Sequence, residues 1–284
     1  MASSDVLAIE RLAAHDVAGG LALSDAAGWN QTADDWSFFI SAGAALGVRD
    51  EAGALIATAA ALPYDAANGW ISMVLVEAGQ RHRGIASQLV DACVASLREA
   101  GRTPVLDATP AGAAVYARIG FVAGFAFERW EGGGAPRTIA PPASRSAVAA
   151  GPSHAETLIV LDRSAGGVDR TLLLRSFLAR DETCAWLAPG ETGFAIRRAG
   201  RRAAQIGPIV AADDAAALDL LGTALDGIVG RAFIDVPVHC TAVGDALTRL
   251  GFVRQRPFVR MALGDARAAA PREGVFTLAG PEFG

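Results

Sequence analysis

The chain contains no lysine, so all 25 of its basic residues are arginine. The 30 Asp and Glu residues outnumber them and give a net charge of −5 at pH 7. Proteins that bind nucleic acids usually carry a basic stripe that matches the phosphate backbone, and no such stripe is present. The sequence therefore predicts no nucleic-acid partner.

Cysteine is scarce, and its three positions do not form a motif. Cys93, Cys184 and Cys240 lie far apart, and none has the spacing of a CxxC motif or a metal site. His239 stands beside Cys240, but two residues without further ligands do not hold a metal. We expect free thiols in a reducing cytoplasm, and no metal.

Long apolar runs are also missing. No uninterrupted run approaches the ~20 residues that a membrane-spanning helix needs, and the first residues lack a basic segment followed by an apolar one. We expect no signal peptide and no membrane partner. The hydrophobic fraction of 52% is nevertheless ample for two cores in 284 residues.

The most informative segment runs from Val74 to Ala86. It reads as an apolar strand, a basic turn with a glycine, and the start of a helix. The first turn of a helix leaves backbone N–H groups without partners beside the positive end of the helix dipole, which suits a diphosphate. Gly84 lets the backbone approach an anion, and Ala86 is small for the same reason. The GxGxxG and GxxxxGK[ST] patterns of other phosphate sites are absent.

The spacing Arg81-x-x-Gly84-x-Ala86 after an apolar strand resembles the pyrophosphate site of the GNAT acyltransferases. The resemblance implies that acetyl-CoA is the co-substrate and that the backbone of the strand pairs with its pantetheine arm. The cofactor-binding residues that it implies are Val74, Leu75, Val76, Arg81, His82, Arg83, Gly84, Ile85 and Ala86.

Two residues are candidates for proton transfer. Tyr116 stands four residues before Gly120-Phe121, in the Tyr-x-x-x-Gly-Phe pattern of the same superfamily, and a phenol can donate a proton to a leaving thiolate. The alternative is that its ring only packs. Glu77, or a water chain ending on Asp107, would take the proton of the attacking amine. The alternatives are a solvated Glu77 and an Asp107 paired with an arginine.

The acceptor would bind near residues 29–36, where GNAT proteins line their acceptor pocket. Indole faces and carboxylates suit a cationic amine. The substrate residues that we predict are Trp29, Asn30, Trp36, Asp107 and Asp235. The alternative for the helix start is structural, because Thr32 and Asp35 have the spacing of a capping box and Trp36 would then pack inward.

An internal repeat divides the chain. Arg118-Ile119-Gly120-Phe121-Val122 reappears as Arg249-Leu250-Gly251-Phe252-Val253, and each is followed by Phe-x-Arg. Upstream, an apolar strand ends in Asp107 in one copy and in Asp235 in the other. We predict a first domain over 1–135, a linker over 136–153 rich in Gly, Pro and Ala, and a second domain over 154–284.

The second copy lacks the features of a cofactor site. Its turn at residues 211–214 has no arginine or glycine and carries two aspartates, and Leu247 stands where the first copy has Tyr116. We expect one cofactor site per chain. Phe276–Ala279 reads as a strand, and we expect it to pair across the domains.

Together these segments resemble a bacterial family of tandem GNAT proteins whose second half is an atypical acetyltransferase-like domain. The resemblance implies an α/β (α+β) fold with two GNAT-like domains, each a mixed, mostly antiparallel sheet flanked by helices. It also implies an N-acetyltransferase that moves an acetyl group from acetyl-CoA to a primary amine of a small molecule or peptide. The alternatives are a CoA-binding sensor without turnover and a transferase for a longer acyl group or a non-amine acceptor.

Overall fold

The computed structural model describes residues 8–133, 146–166, 168–270 and 272–284. The chain divides into two compact units between Pro104 and Val105. The predicted domain limits at 135 and 153 stay a prediction, and residues 136–145 of the predicted linker lie outside the described residues.

The first unit is an antiparallel sheet with helices, and its strands pair in chain order. Its elements are β1 (Glu10–Arg11), α1 (Val17–Ala26), α2 (Ala33–Ala42), β2 (Ala44–Arg49), β3 (Leu55–Pro63), β4 (Asn68–Val76) and α3 (Ile85–Glu99).

Local sequence signals set the ends of these helices. The capping box predicted at α2 is present: the Asp35 backbone N–H donates to Thr32 Oγ1, and the Asp35 carboxylate accepts from the Thr32 N–H. Helix α3 buries Ile85, Leu89 and Cys93 at a spacing of four residues. The chain leaves the helix at Gly101, whose φ of 72° lets the Arg102 N–H reach the Leu97 carbonyl at 2.9 Å.

The second unit contains a larger mixed sheet. Its elements are β5 (Thr103–Ala108, which begins in the first unit), α4 (Pro110–Arg118), β6 (Phe121–Gly133), β7 (Val148–Ala150), α5 (Ala155–Gly166), α6 (Thr171–Leu178), β8 (Cys184–Leu187), β9 (Gly193–Arg198), β10 (Ala204–Ala211), α7 (Asp214–Leu225), β11 (Arg231–Pro237), α8 (Thr241–Arg249), β12 (Val253–Leu263) and β13 (Val275–Thr277). The strand order is β5-β12-β6-β11-β10-β9-β8-β7, with β13 on β10. Strands β10 and β11 are parallel, and the other described pairs of this sheet are antiparallel. The predicted fold class is confirmed.

The order of the strands shows an exchange between the two sequence repeats. β12, from the second repeat, lies between β5 and β6 of the first repeat, and β6 in turn pairs with β11 of the second. Phe127 and Phe258, which are equivalent in the repeats, stand opposite each other in the β6–β12 register with their rings stacked 5.0 Å apart. β6 and β12 are therefore exchanged between the two repeats, and the stacked rings of Phe127 and Phe258 lie at the centre of this exchange.

The tail strand corrects one expectation. β13 pairs antiparallel with β10, a strand of its own half, so the predicted pairing across domains is wrong. The segment that follows is buried, with Leu278 at 1% exposure and Phe283 at 0%. The rings of Phe283 and Phe177 pack with their centroids 5.3 Å apart, and Leu278 joins a buried cluster with Phe127 and Phe258, so the tail completes the core of the second unit.

Candidate functional site

The loop between β4 and α3, residues 77–84, is the candidate phosphate loop. Gly84 is the N-cap of α3 with a φ of 77°, a left-handed conformation that favours glycine. A Cβ at Gly84 would meet nothing within 4 Å, so the conformation rather than lack of space favours glycine there. Gly84 has no side chain that could cap the helix, so backbone N–H groups of the first turn remain available to an anion.

The basic side chains of this loop bond to neutral groups. Arg81 Nε donates to the Val76 carbonyl at 3.2 Å, and Arg83 donates to the Gln80 side-chain carbonyl. Arg81, His82 and Arg83 are exposed, and His82 itself has a positive φ of 64°. Because these bonds neutralise no charge, the loop presents two guanidinium groups beside the positive end of α3.

The strand that leads to the loop is irregular just before its last residues. Met73 has a φ of 52°, and the β3–β4 register shifts between Thr58 and Ala60. The Thr58 hydroxyl donates to the Met73 carbonyl at 2.9 Å, which fixes this bulge. The candidate residues Val74, Leu75 and Val76 follow it directly.

The two candidates for proton transfer lie in different environments. Tyr116 is on α4, half-buried, with its ring centroid 5.8 Å from that of Phe121. Thr109 begins the helix by accepting from the Gly112 N–H at 3.3 Å. Glu77 is exposed at the start of the loop, and its backbone N–H donates to the Ile56 carbonyl. Their proposed roles stay predictions.

The residues of the predicted acceptor segment lie in two environments, the loop between α1 and α2 and the core. Trp36 is fully buried, its Nε1 donates to Ser24 Oγ at 3.1 Å, and a Cβ at Gly20 would lie 2.5 Å from its ring. This is the inward packing weighed as an alternative, so we leave Trp36 out of the proposed site. Trp29 is half-buried and Asn30 is buried, both in the loop between α1 and α2.

Asp107 and Asp235 bind arginines from the exchanged strands. Arg260 donates to both oxygens of Asp107, each at 2.9 Å, and Arg129 donates to those of Asp235 at 2.9 and 2.7 Å. Both carboxylates are fully buried. Burial raises the pKa of Asp107 even though Arg260 acts against it. Burial tends to lower the pKa of Arg129, but Asp235 outweighs it and the pKa is raised. The arginine alternative for Asp107 is therefore the one observed.

These reciprocal pairs were not predicted from the sequence, although a signal for them is present in the repeat. Arg129 and Arg260 are equivalent in the repeat, as are Asp107 and Asp235. The pairing of each aspartate with the arginine of the other repeat depends on the strand exchange, which no local pattern encodes.

The second half differs from the first at the equivalent places. Only residues 212–213 separate β10 from α7, and the Asp213 carboxylate accepts from the Ala216 N–H at 2.9 Å. That carboxylate occupies the end of α7 where an anion would bind. β13 pairs with Ile209 and Val210, the end of the strand before this turn. Leu247, equivalent to Tyr116, is fully buried.

In the part of the chain that the structure describes, no group of three or more His, Cys, Asp or Glu side chains is arranged to hold a metal ion. Among the same residues, every helix is too short or too polar to cross a bilayer.

Comparisons with known sequences assign both halves to one superfamily. A family model described as "Acetyltransferase (GNAT) family" matches residues 20–121, and one described as "Acetyltransferase (GNAT) domain" matches residues 158–277. A comparison with curated proteins finds no match.

Solved structures resemble the chain over most of its length. A protein of Pyrococcus horikoshii described as a candidate acetyltransferase is 18% identical, with a TM-score of 0.83 over 99% of this chain and 96% of that one. A tandem GNAT protein from the clavulanic acid biosynthesis pathway is 20% identical, with a TM-score of 0.62 over 90% of this chain and 98% of that one. A GCN5-related N-acetyltransferase from Kribbella flavida is 19% identical, with a TM-score of 0.58 over 94% of this chain and 74% of that one. At these identities the likeness shows a shared fold.

Proposed function

Because the chain belongs to the GNAT acetyltransferases, with one such domain in each half, we propose that it moves an acetyl group from acetyl-CoA to a primary amine. The acceptor would be a small molecule or a peptide. The first half would bind the donor, and the second half would bind none.

The observation that carries the proposal is the contrast between the two helix starts. In the first half, α3 begins at Gly84 without a side-chain cap and beside two exposed arginines. In the second half, the equivalent helix is capped by a carboxylate. A diphosphate would gain helix-dipole and guanidinium interactions at the first position and would meet like charge at the second.

In the proposed reaction, the protein would bind the donor, accept one proton from the amine and give one proton to the leaving thiolate. The backbone of Val74, Leu75 and Val76 would orient the pantetheine arm, and the loop with Arg81, His82 and Arg83 would hold the diphosphate, with Gly84, Ile85 and Ala86 at the helix start. The thioester supplies the acetyl group: the amine nitrogen forms a bond to the carbonyl carbon as the C–S bond breaks. Glu77, or a water, would take the amine proton, and the Tyr116 hydroxyl would protonate the departing thiolate.

The test combines calorimetry with coenzyme A and an acetyl-transfer assay on a panel of primary amines, read as release of free CoA. Tyr116→Phe keeps the aromatic packing against Phe121 and removes only the hydroxyl. We expect kcat to fall by roughly 100-fold, as for the loss of a general acid, while the Kd for CoA stays within about twofold.

Tyr64→Phe is the matched control, since Tyr64 and Tyr116 are the two tyrosines of the chain. It should leave both quantities unchanged. An unaltered kcat in Tyr116→Phe would remove the acid role. CoA binding without turnover on any amine would instead favour the sensor, and absence of CoA binding would overturn the proposal.

The state of the cysteines supports the proposed location. Cys93, Cys184 and Cys240 are all free thiols. Free thiols are typical of reducing compartments, and we therefore infer a cytoplasmic protein.

A further inference from the structure

Two buried oxygen atoms of the first unit lack a hydrogen-bond partner. They are Oε1 of Gln31 and Oγ of Ser72, and neither has a partner among the residues that the structure describes. The residues are only 4% and 7% exposed. A buried polar atom without a hydrogen-bond partner destabilises the fold, so its presence calls for an explanation.

Gln31 differs from the polar residues next to it because its side-chain oxygen has no hydrogen-bond partner among the described residues. It lies between α1 and α2, next to Asn30 and before the N-cap Thr32. Thr32 is satisfied by the capping box, and the indole N–H of Trp36 is satisfied by Ser24. The fold therefore satisfies the neighbouring polar groups locally and leaves the Gln31 carbonyl unsatisfied.

Ser72 lies on the face of the sheet that α1 and α2 cover. A Cβ at Gly69 would lie 2.3 Å from Leu97 of α3, so the Gly69 side of β4 faces α3. Side chains alternate along a strand, which directs Trp70 and Ser72 to the opposite face. Trp70 pairs with Leu62, and Leu62 lies against Gly43 at the end of α2.

The chemistry of the two atoms defines what they would bind. A carboxamide oxygen only accepts hydrogen bonds, whereas a serine hydroxyl both donates and accepts. A primary amine carries N–H donors and fits the first requirement. Both atoms belong to the part of the first unit formed by the α1–α2 loop and the sheet face beneath these helices.

We propose that Gln31 and Ser72 form an acceptor subsite, in which Gln31 Oε1 accepts an N–H of the amine and the Ser72 hydroxyl bonds to the same molecule. This inference rests on the proposed function and names two residues that select for a donor-bearing acceptor. The unsatisfied oxygens are kept at the expense of stability because the substrate completes them.

The test removes each oxygen without a large change in shape. Gln31→Met and Ser72→Ala are assayed with benzylamine, spermidine and a tripeptide with a free N-terminus. We expect KM for the amine to rise at least about tenfold in Gln31→Met, by loss of a hydrogen bond to the substrate, with the Kd for CoA unchanged. The melting temperature should stay equal or rise, because no partner within the protein is lost.

Thr277→Val is the matched control. Thr277 Oγ1 is also buried without a partner among the described residues, but it lies in the second half. Its removal should leave KM unaltered, with an equal or higher melting temperature. A drop in the melting temperature of Gln31→Met would show a structural partner and overturn the inference, as would an unchanged KM.

A second readout separates this inference from the proposed function. If CoA binds but none of the three amines reacts, acetyl transfer to these amines fails, and thermal shifts then decide about the subsite. A stabilising shift by any of the amines that disappears in Gln31→Met supports the subsite. No shift in the unmodified protein, or the same shift in Gln31→Met, overturns it.

Discussion

The two halves of the chain follow the same order of strand, turn and helix but treat the turn in opposite ways. In the first half, residues 77–84 give a long loop that ends in a left-handed Gly84. In the second half, residues 212–213 leave room only for an aspartate cap. A helix start is either open to an anion or closed by its own side chain, and the difference turns on a few residues. The same order of strand, turn and helix therefore carries an uncapped helix start in one half and a capped one in the other.

Each repeat nevertheless contributes one aspartate and one arginine to the two reciprocal ion pairs, and breaking one of these pairs should have the largest effect. In Asp235→Ala, the guanidinium of Arg129 keeps its charge in the core without its carboxylate, and Gln205 loses an acceptor at 2.9 Å. We expect a loss of about 3–5 kcal/mol in the free energy of unfolding, measured by denaturant titration.

Asp107→Ala is the comparison within the repeat. The Arg260 side chain is 11% exposed against 6% for Arg129, and Asp235 accepts a hydrogen bond from Gln205 in addition to those from Arg129. We therefore expect a smaller loss than for Asp235→Ala. Equal losses would mean that the two pairs are energetically equivalent despite the additional amide.

The next largest effect should come from a substitution that makes the turn before α3 resemble the turn before α7. Gly84→Asp introduces a carboxylate at the helix start, as Asp213 does in the second half, and a Cβ there has open space. We expect CoA affinity to fall by at least about 100-fold, since a like charge a few ångströms from a diphosphate costs several kcal/mol near a protein surface. Calorimetry measures the change.

Gly84→Asn is its matched control. Asparagine has nearly the same shape, tolerates the left-handed conformation and carries no charge. A clearly smaller loss in Gly84→Asn would assign the effect to charge. Equal losses in both variants would assign it to the backbone, and no loss in either would mean that CoA does not bind at this turn.

The smallest expected effect concerns the reactivity of the cysteine thiols in the two halves. Burial raises the pKa of Cys93 to about 12, and burial, with a contribution from Asp214, raises that of Cys240 to about 11. At pH 8 both stay protonated and unreactive, because the thiolate is the nucleophile. Iodoacetamide should label the native protein at the half-buried Cys184 only, and mass spectrometry identifies the site. Labelling of Cys93 before unfolding would contradict the packing of α3.

Several elements could be predicted because their signals are local. The Thr32–Asp35 box, the apolar spacing of α3 and the glycine that ends it each involve residues within one or two turns. The candidate phosphate loop was found in the same way, from a contiguous run. The predicted pairing of residues 276–279 across domains failed, because a short strand carries no information about which edge it joins.

Local patterns in the sequence are enough to establish the capping box of α2, the internal repeat and the presence of a basic turn in only one of the two copies. Only the folded chain shows that β12 lies beside β5, that Asp107 and Asp235 bind arginines of the opposite repeat, and that the oxygens of Gln31 and Ser72 lack partners among the described residues. The two sets of features differ in the range of the interactions that produce them. Capping, periodicity and turn conformation act between neighbours in the chain, whereas strand exchange and burial depend on which of two equivalent surfaces meet.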